Sequence, residues 1–111
     1  MKHNMKLNIG PFGAIKSGTK TIEMRLYDEK RRKLQVGDII EFENRVTGDK
    51  VTATVVALHI FPSFEDIYKH FDKVSLGYAP HEIAHYTDME QYYLIREIEA
   101  YGVVGIEIRL V

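Results

Sequence analysis

The sequence contains no cysteine. This absence excludes a disulfide framework, zinc sites built from thiolates and a cysteine nucleophile. Tryptophan is also absent, and the aromatic side chains come from seven tyrosines and five phenylalanines. With 45% hydrophobic and 28% charged residues, the composition is that of a globular domain that builds its core without disulfides or metals. A cysteine-free chain is compatible with a reducing compartment, and we expect a cytoplasmic protein.

Long apolar runs are absent as well. No stretch approaches the roughly 20 apolar residues that a membrane-spanning helix needs, and residues 1–10 lack the apolar core of a signal peptide. Neither the glycine-rich phosphate loop of nucleotide hydrolases nor a dinucleotide-binding fingerprint occurs. We therefore expect a soluble protein with no membrane partner, and we assign it no cofactor.

The charge is distributed unevenly along the 111 residues, a length that suits one domain over residues 1–111. Residues 1–33 contain nine Lys and Arg against three acids, a net charge of +6, whereas residues 34–111 contain six against thirteen, a net charge of −7. If the first third folds onto one face, that face would attract phosphates although the whole chain carries only −1. The alternative is a set of charges spread around a solvated surface.

The segments alternate between strand-like and helix-like patterns, which indicates an α+β fold. Apolar residues at every second position, or in β-branched runs, predict strands over 20–27, 39–42, 51–61 and 103–110. Short strands with irregular connections in so short a chain predict a small, closed or nearly closed β-barrel of about five strands.

Helix signals mark the segments between these strands. Pro11 suits the first turn of a helix that Gly18 ends. After the last residue of the third predicted strand, Pro62 stops the chain from continuing as a strand. Ser63 then caps a second helix, with Asp66 at its third position.

A third helix is predicted to start at Thr87, because Thr followed three residues later by Glu90 resembles a capping box. It would run to about Ala100. The adjacent Tyr92 and Tyr93 would then point about 100° apart, so that only one of them belongs to the core. The other could stack on a base, and packing or a rim contact is the alternative. The predicted apolar face comprises Leu94, Ile98 and Tyr101.

The segment 18–25, Gly-Thr-Lys-Thr-Ile-Glu-Met-Arg, is the most informative part of the chain. Its alternation predicts a half-buried strand that presents Glu23 and Arg25 on one polar face. The Arg side chain can keep the carboxylate ionised, and its planar fork suits a phosphate or a base edge. Lys20 lies at the start of the strand, where it can swing toward this face although strict alternation points it to the apolar one. The alternative is a solvated surface ion pair, which contributes little to stability.

Three motifs together resemble the ASCH domain family. The pattern from Pro11 to Arg25, P-F-x-x-I-x-x-G-x-K-x-x-E-x-R, is similar to the family signature, as are V-G-D-x-I-x-F at 36–42 and Y-G-V-V-G-I-E-I at 101–108. They span most of the chain in the family's order. The resemblance implies a PUA-like β-barrel with short helices at its rim, and a cleft along the G-x-K-x-x-E-x-R segment that is thought to bind RNA.

The same resemblance raises an enzymatic alternative. Some ASCH-like proteins are amidohydrolases that remove acetyl groups from acetylated cytidine, with a Thr two residues before the Arg as nucleophile and the Lys assisting. Lys20 and Arg25 match this pattern, but Glu23 occupies the nucleophile position, and Thr21 is displaced by about 6–7 Å along a strand. The catalytic residues are therefore not transferred. A hydrolase acting on acylated nucleosides or RNA, with Lys20 and Glu23 as an acid–base pair, stays as an alternative.

Residues 81–85, His-Glu-Ile-Ala-His, match the H-E-x-x-H pattern of zinc metalloproteases. Such a motif must lie inside a helix so that both imidazoles reach one metal ion. Here Pro80 would start the helix and Thr87 the next one, which leaves barely two turns. We therefore predict a short polar helix or loop and assign no metal site. His59, inside an apolar strand, is interpreted as an interior histidine whose hydrogen bonds are satisfied.

The basic run 30–33 is predicted to form an exposed loop that could contact a nucleic-acid backbone. Together these patterns predict a domain that binds RNA, a nucleoside or a nucleotide, and the alternatives are the hydrolase and a protein-interaction module. The predicted ligand-binding residues are Lys20, Glu23 and Arg25, followed by Thr21, Arg32 and Tyr93.

Overall fold

The chain forms one curled five-stranded sheet, a half-barrel, in a computed structural model that covers Met1 to Val111. Short helices accompany the sheet, which confirms the predicted α+β class and the barrel-like arrangement of five strands. The longest α-helix has nine residues, and no helix combines the length and apolar character needed to cross a membrane. The elements are β1 (Lys2–Leu7), α1 (Ile9–Ser17), β2 (Ile22–Leu26), a 3-10 helix (Arg31–Lys33), β3 (Ile39–Asn44), β4 (Lys50–Phe61), α2 (Phe64–His70), a second 3-10 helix (Tyr86–Gln91), α3 (Ile95–Tyr101) and β5 (Val103–Leu110).

The two ends of the sheet are β1 and β2, because the strand order is β1-β3-β4-β5-β2. β1 pairs with β3 in parallel, and all other neighbours are antiparallel. The curl brings the end strands close enough for Nη2 of Arg25 on β2 to donate to the backbone carbonyl of Lys6 on β1, at 3.3 Å. We call this gap between β1 and β2 the seam. Both end strands belong to the basic residues 1–33, so the fold gathers part of that positive charge at the seam.

β1 was not among the predicted elements. Its sequence, Lys-His-Asn-Met-Lys-Leu, buries only Met5 and Leu7 and therefore shows little alternation. Pairing with the strongly patterned β3 defines it instead, with Met5 opposite Phe42. This strand depends on tertiary context more than on its own sequence.

Local signals placed several other elements correctly. Gly18 ends α1 in the left-handed conformation, with φ of 87°. β4 follows the predicted β-branched run, although a bulge interrupts its pairing with β5 between Val55 and Ala57. Ser63 caps α2, since its Oγ accepts the Asp66 N–H at 3.4 Å.

The predicted continuous helix from Thr87 to Ala100 is wrong. The segment divides into the second 3-10 helix and α3, and each part has its own N-terminal cap. His85 Nδ1 accepts the Thr87 N–H at 3.3 Å, so Thr87 is not the cap. The Glu97 carboxylate accepts the N–H of Leu94 at 3.2 Å and starts α3. These side-chain bonds replace the predicted capping box and break the helix between them.

The break has a packing reason. A continuous helix would need Leu94 and Tyr101 on a buried face, but both side chains are exposed, at 54% and 40%. Tyr93, at the break, instead stacks on the buried Phe64, with ring centroids 5.8 Å apart and planes 18° from parallel. Burial of this aromatic pair therefore favours the interrupted backbone.

Two apolar cores lie on opposite faces of β2. Directly opposed residues of antiparallel strands share a face, and Glu23 pairs with Ile106 while Arg25 pairs with Val104, both in the first core. The other face of β2 packs toward α2 and the second 3-10 helix. The first core contains Met5, Leu7, Phe12, Ile15, Leu34, Ile40, Phe42, Ala53, Val55, Val104, Ile106 and Ile108, and the second contains Ile22, Met24, Leu26, Phe64, Ile67, Leu76, Met89 and Val103.

Asp38 holds the start of β3 against the start of β1. Its buried carboxylate accepts a hydrogen bond from His3 Nε2 at 2.8 Å and another from the Gln35 backbone N–H at 3.0 Å. These two bonds, the one from His3 first, lower the pKa of Asp38 to about 2. The carboxylate is therefore ionised throughout the neutral range and anchors the β1–β3 pair.

We expect Asp38→Asn to lower the melting temperature at pH 7. A pKa depressed in the folded state gives stability that is complete above the unfolded pKa of about 3.9 and is lost as pH falls toward 2. The difference in melting temperature between wild type and variant should therefore shrink between about pH 5 and pH 2. Asp49→Asn, in an exposed turn, is the control. A difference that stays constant from pH 7 to pH 2 would contradict the anchor.

Candidate functional site

Lys20, Glu23 and Arg25 converge into one ion cluster. Lys20 Nζ lies 3.1 Å from Glu23 Oε1, and Arg25 Nε lies 2.9 Å from Glu23 Oε2. Lys20 reaches this position because it lies in the turn between α1 and β2, where its N–H bonds to the Ala14 carbonyl. Strand alternation therefore does not govern its side chain. Each carboxylate oxygen is held by one cation.

The cluster is buried rather than solvated. Lys20 is 7% exposed and Glu23 is 4% exposed. Glu23 faces the first core, so the prediction that β2 is half-buried with an open polar face is wrong. Apolar side chains pack on one face of the strand, and the ion cluster occupies the other. A surface ion pair is thereby excluded for these residues, and a buried one depends strongly on all of its members.

The two cations determine the charge state of Glu23. Burial on its own would raise the pKa of Glu23, but the charges of Lys20 and Arg25 and their hydrogen bonds outweigh it, and the pKa is lowered. Glu23 is therefore an ionised acceptor at neutral pH and not a proton donor. The ionised carboxylate therefore orients the two cationic side chains, Lys20 and Arg25.

A loop over residues 72–78 covers Lys20. The Ser75 carbonyl accepts the N–H groups of Thr21 and Ile22, each at 3.0 Å, which attaches the loop to the start of β2. Gly77 lies directly over the Lys20 side chain, since a Cβ at this position would come within 2.9 Å of Lys20 Cδ. The loop thus presses the ammonium group toward Glu23.

A partly buried hydroxyl network holds the same loop in place. The Tyr78 hydroxyl donates to Asp88 Oδ2 at 2.6 Å and lies 2.7 Å from the Tyr68 hydroxyl. Burial, together with the bond to Asp88, raises the pKa of Tyr78 far above its ordinary value. The network joins α2, the loop and the second 3-10 helix, and nothing in the sequence pattern indicated it.

Arg31 is the cation that the sequence analysis did not single out. Its backbone N–H bonds to Asp28 Oδ1 at 3.1 Å, whereas its half-buried guanidinium makes no ion pair or hydrogen bond within the chain. Burial, and next the charge of nearby Arg25, lower the pKa of Arg31, although an arginine stays charged in proteins. The fold therefore holds a half-buried positive group without an acceptor.

Arg32 and Thr21 have different surroundings. Arg32 lies over the Tyr27 ring, 4.4 Å from its centroid, and donates to the backbone carbonyls of Tyr27 at 2.8 Å and Tyr101 at 3.2 Å. Thr21 is partly exposed just before β2. The contacts of Arg32 join the basic loop to the end of α3, while those of its neighbour Arg31 leave a guanidinium free.

The predicted contact residue Tyr93 lies in the break between the second 3-10 helix and α3. Burial raises its pKa, and the charges of Arg25 and Arg31 act against that rise. Its ring is fixed by the stack on Phe64. The neighbouring Tyr92 is 54% exposed, so only one of the two tyrosines is packed, although both lie in the break between the helices and not in one helix.

Two surface grooves are lined by residues of this region, one by Arg31 and the other by Tyr93. The strand groove has a volume of about 470 Å³, and the tyrosine groove has a volume of about 510 Å³. Lys20, Glu23 and Arg25 line neither of them, whereas Arg31 lines the strand groove. The strand groove is lined by Asn4, Met5, Lys6, Lys30, Arg31, Glu41, Glu43 and Lys50, and the tyrosine groove by Glu90, Tyr93, Leu94, Ile95 and Arg96.

The histidines lie away from this site. Residues 81–85 form a turn and an extended segment, not a helix, so the imidazoles of the H-E-x-x-H pattern are not one helical turn apart. No group of three or more His, Asp or Glu side chains is arranged to hold a metal ion. His59 Nε2 lies 2.9 Å from Glu107 Oε1, which satisfies this nitrogen as predicted, but the side chain is 27% exposed and therefore not interior.

We expect Glu23→Gln to lower the free energy of unfolding by about 3–5 kcal/mol, because it leaves Lys20 and Arg25 buried without a counter-charge. Urea denaturation at pH 7 measures the change. Glu43→Gln is the matched control, since Glu43 is partly buried on β3 but forms no ion pair. Equal losses in the two variants would contradict a cooperative ion cluster.

We expect Gly77→Ala to destabilise the protein more than Gly48→Ala. Both glycines have positive φ, 112° and 80°, so both substitutions strain the backbone by about 1–3 kcal/mol. Only at Gly77 does the new methyl group also meet Lys20, because no atom lies within 4 Å of a Cβ at Gly48. Urea unfolding of both variants isolates that contact, and equal losses would argue against a loop that positions Lys20.

Comparison with known proteins identifies the family. The ASCH domain matches residues 5–111. The chain is 33% identical to the hypothetical protein PH0355, whose crystal structure it matches with a TM-score of 0.87 over 100% of both chains. It is 30% identical to protein PF0455 from Pyrococcus furiosus, whose NMR structure it matches with a TM-score of 0.77 over 100% of this chain and 98% of that one. No curated protein matches it. The chain therefore belongs to the ASCH domain family and has its PUA-like fold.

Proposed function

We propose that this ASCH domain binds RNA or a nucleotide at the seam, with Arg25 and Arg31 as its phosphate contacts. The observation that carries the proposal is the guanidinium of Arg31, which is half-buried, lines the strand groove with Lys6, Lys30 and Lys50, and has no acceptor within the chain. A partly desolvated cation without a counter-charge is stabilised by a bound anion. An arginine fork suits the oxygens of a phosphate.

The charge around the seam supports a polyanionic partner. Six cationic and four carboxylate side chains belong to the ion cluster, the strand groove and the Arg31 turn, which gives a net charge of +2 although the whole chain carries −1. Such a local excess of positive charge attracts phosphates whatever the net charge of the whole chain. The cations are Lys6, Lys20, Arg25, Lys30, Arg31 and Lys50, and the carboxylates are Glu23, Asp28, Glu41 and Glu43.

In this proposal Lys20 and Glu23 support the contact surface from beneath. Glu23 fixes the guanidinium of Arg25 through Nε and leaves Nη1 directed away from that bond. Lys20 neutralises the second carboxylate oxygen and adds positive potential. Thr21 and Arg32 stay as predicted contacts at the edge of the site, with Arg32 also holding the basic loop.

The tyrosine groove supplies a place for a base. Tyr93 is fixed by Phe64 and lines a groove with the apolar side chains of Leu94 and Ile95. Aromatic and apolar surfaces of this kind stack on bases in single-stranded recognition.

The cytoplasmic location stays a prediction of the composition.

Binding is favoured over hydrolysis by the state of Glu23. A general base must reach the proton that it removes, whereas this carboxylate is 4% exposed and each oxygen is already held by a cation. Its lowered pKa also makes it a weak base. Binding of a ligand by Arg25 and Arg31 does not require an accessible general base.

We expect Arg31→Ala to weaken binding of a short single-stranded RNA about tenfold or more, the loss typical of a hydrogen bond to a charged group. Fluorescence anisotropy at 50 and 200 mM salt measures it, and affinity should fall steeply with salt. Arg109→Ala on β5 removes the same charge from an exposed position outside the site and should bind as wild type. Salt-insensitive binding, or equal weakening by both variants, would contradict the proposal.

A further inference from the structure

We propose that the strand groove recognises the sugar as well as the phosphate of its ligand, with Glu43 accepting a hydrogen bond from a ribose 2′-hydroxyl. The domain therefore binds RNA in preference to DNA of the same sequence. This inference rests on the proposed function and adds the residue that selects the sugar.

Glu43 and Arg31 line the same groove, whose volume of about 470 Å³ lies within the range of ligand pockets. Glu43 follows the fully buried Phe42 on β3, so its side chain points to the opposite face of the sheet from the first core. Arg31 comes from the first 3-10 helix, after β2. The groove thus presents a carboxylate and a guanidinium to one ligand.

The ion pairs around the groove leave Glu43 free. Lys50 lies directly opposite Glu43 on β4, but its Nζ lies 3.6 Å from Glu41 Oε1. Lys2 Nζ occupies the other oxygen of Glu41, at 3.0 Å. Lys6 is the partner of Glu43 in the pairing of β1 with β3, but its ammonium group forms no ion pair. Glu41 is therefore held by two lysines, whereas the Glu43 carboxylate has no ion pair or hydrogen bond within the chain.

A free carboxylate in a cationic groove restricts the ligand. It only accepts hydrogen bonds, and it repels any phosphate oxygen that approaches it. A phosphate at Arg31 is therefore bound best when a neutral donor of the same ligand reaches Glu43. The 2′-hydroxyl of RNA is such a donor, because it lies on the carbon next to the one that carries the 3′-phosphate. Its bond to a carboxylate is charge-assisted, and acidic side chains bind the ribose 2′-hydroxyl in dinucleotide-binding folds.

Deoxyribose has no donor at this position. A site built to bond a hydroxyl rejects the analogue that lacks it, because the polar group of the site loses its partner. Here the loss falls on a partly buried carboxylate in the groove that holds the phosphate. The 2′-hydroxyl is also the group by which proteins distinguish RNA from DNA.

The test compares three short oligouridines that carry ribose, deoxyribose or 2′-O-methylribose, so that the base is the same and only the 2′ position changes. Fluorescence anisotropy at low salt should show the ribose form binding the wild-type protein about tenfold tighter than either of the others, the effect of one hydrogen bond to a charged group. The 2′-O-methyl form keeps the oxygen but lacks the donor. It therefore separates a hydrogen bond to Glu43 from a preference for the shape of ribose.

Glu43→Ala should remove this preference, so that the ratio of the dissociation constants for the deoxyribose and ribose forms falls to about one. The ratio is the readout, because loss of a negative charge strengthens binding of every oligonucleotide. Glu99→Ala removes a carboxylate from an exposed position outside the groove and should keep the preference. Circular dichroism confirms that both variants are folded, and the wild-type comparison needs no variant.

The outcomes separate this inference from the proposed function. Equal affinity of the wild-type protein for the ribose and deoxyribose forms, with both weakened by Arg31→Ala, would overturn sugar selection and leave phosphate binding in place. A preference that persists in Glu43→Ala, or a 2′-O-methyl form that binds as tightly as RNA, would overturn the role of Glu43. Binding of none of the three would overturn both proposals.

Discussion

A buried carboxylate between two cations is the interaction on which this domain depends. Ionised Glu23 in contact with the first core would be costly without Lys20 and Arg25, and the two cations would repel each other without Glu23. The cluster therefore forms completely or not at all. Because its members come from the turn after α1 and from β2, and a loop covers Lys20, the cluster fixes these three parts relative to one another. The proposed ligand-binding surface at the seam depends on this fixed arrangement.

The parts of the fold that could be predicted are those where local preference and packing agree. β4 has a β-branched run ended by proline, and α2 has a serine cap with an acid three residues later. Glu23 and Arg25 were found from a two-residue spacing that any strand brings to one side. Their burial was not visible, because alternation reports which residues share a face and not what covers that face.

Other features lay outside the reach of sequence patterns for a physical reason in each case. β1 owes its position to pairing with β3, a contact between distant segments. The break before α3 depends on Tyr93 finding Phe64, some thirty residues earlier. Within the basic run, Arg31 and Arg32 are adjacent and chemically identical. They differ in their contacts, because the guanidinium of Arg32 is engaged by Tyr27 and Tyr101, whereas that of Arg31 makes no ion pair or hydrogen bond.

The pairing of β2 with β5 also has a kinetic consequence. Glu23 lies opposite Ile106, and the intervening chain contains every other strand of the sheet except β1. Closing a loop of this length is slow and entropically unfavourable until the final strand is available. During synthesis from the N-terminus, the three charged residues of the cluster must therefore wait, hydrated, for almost the entire chain. The ligand surface can appear only when folding is essentially finished, which couples its formation to the integrity of the whole sheet.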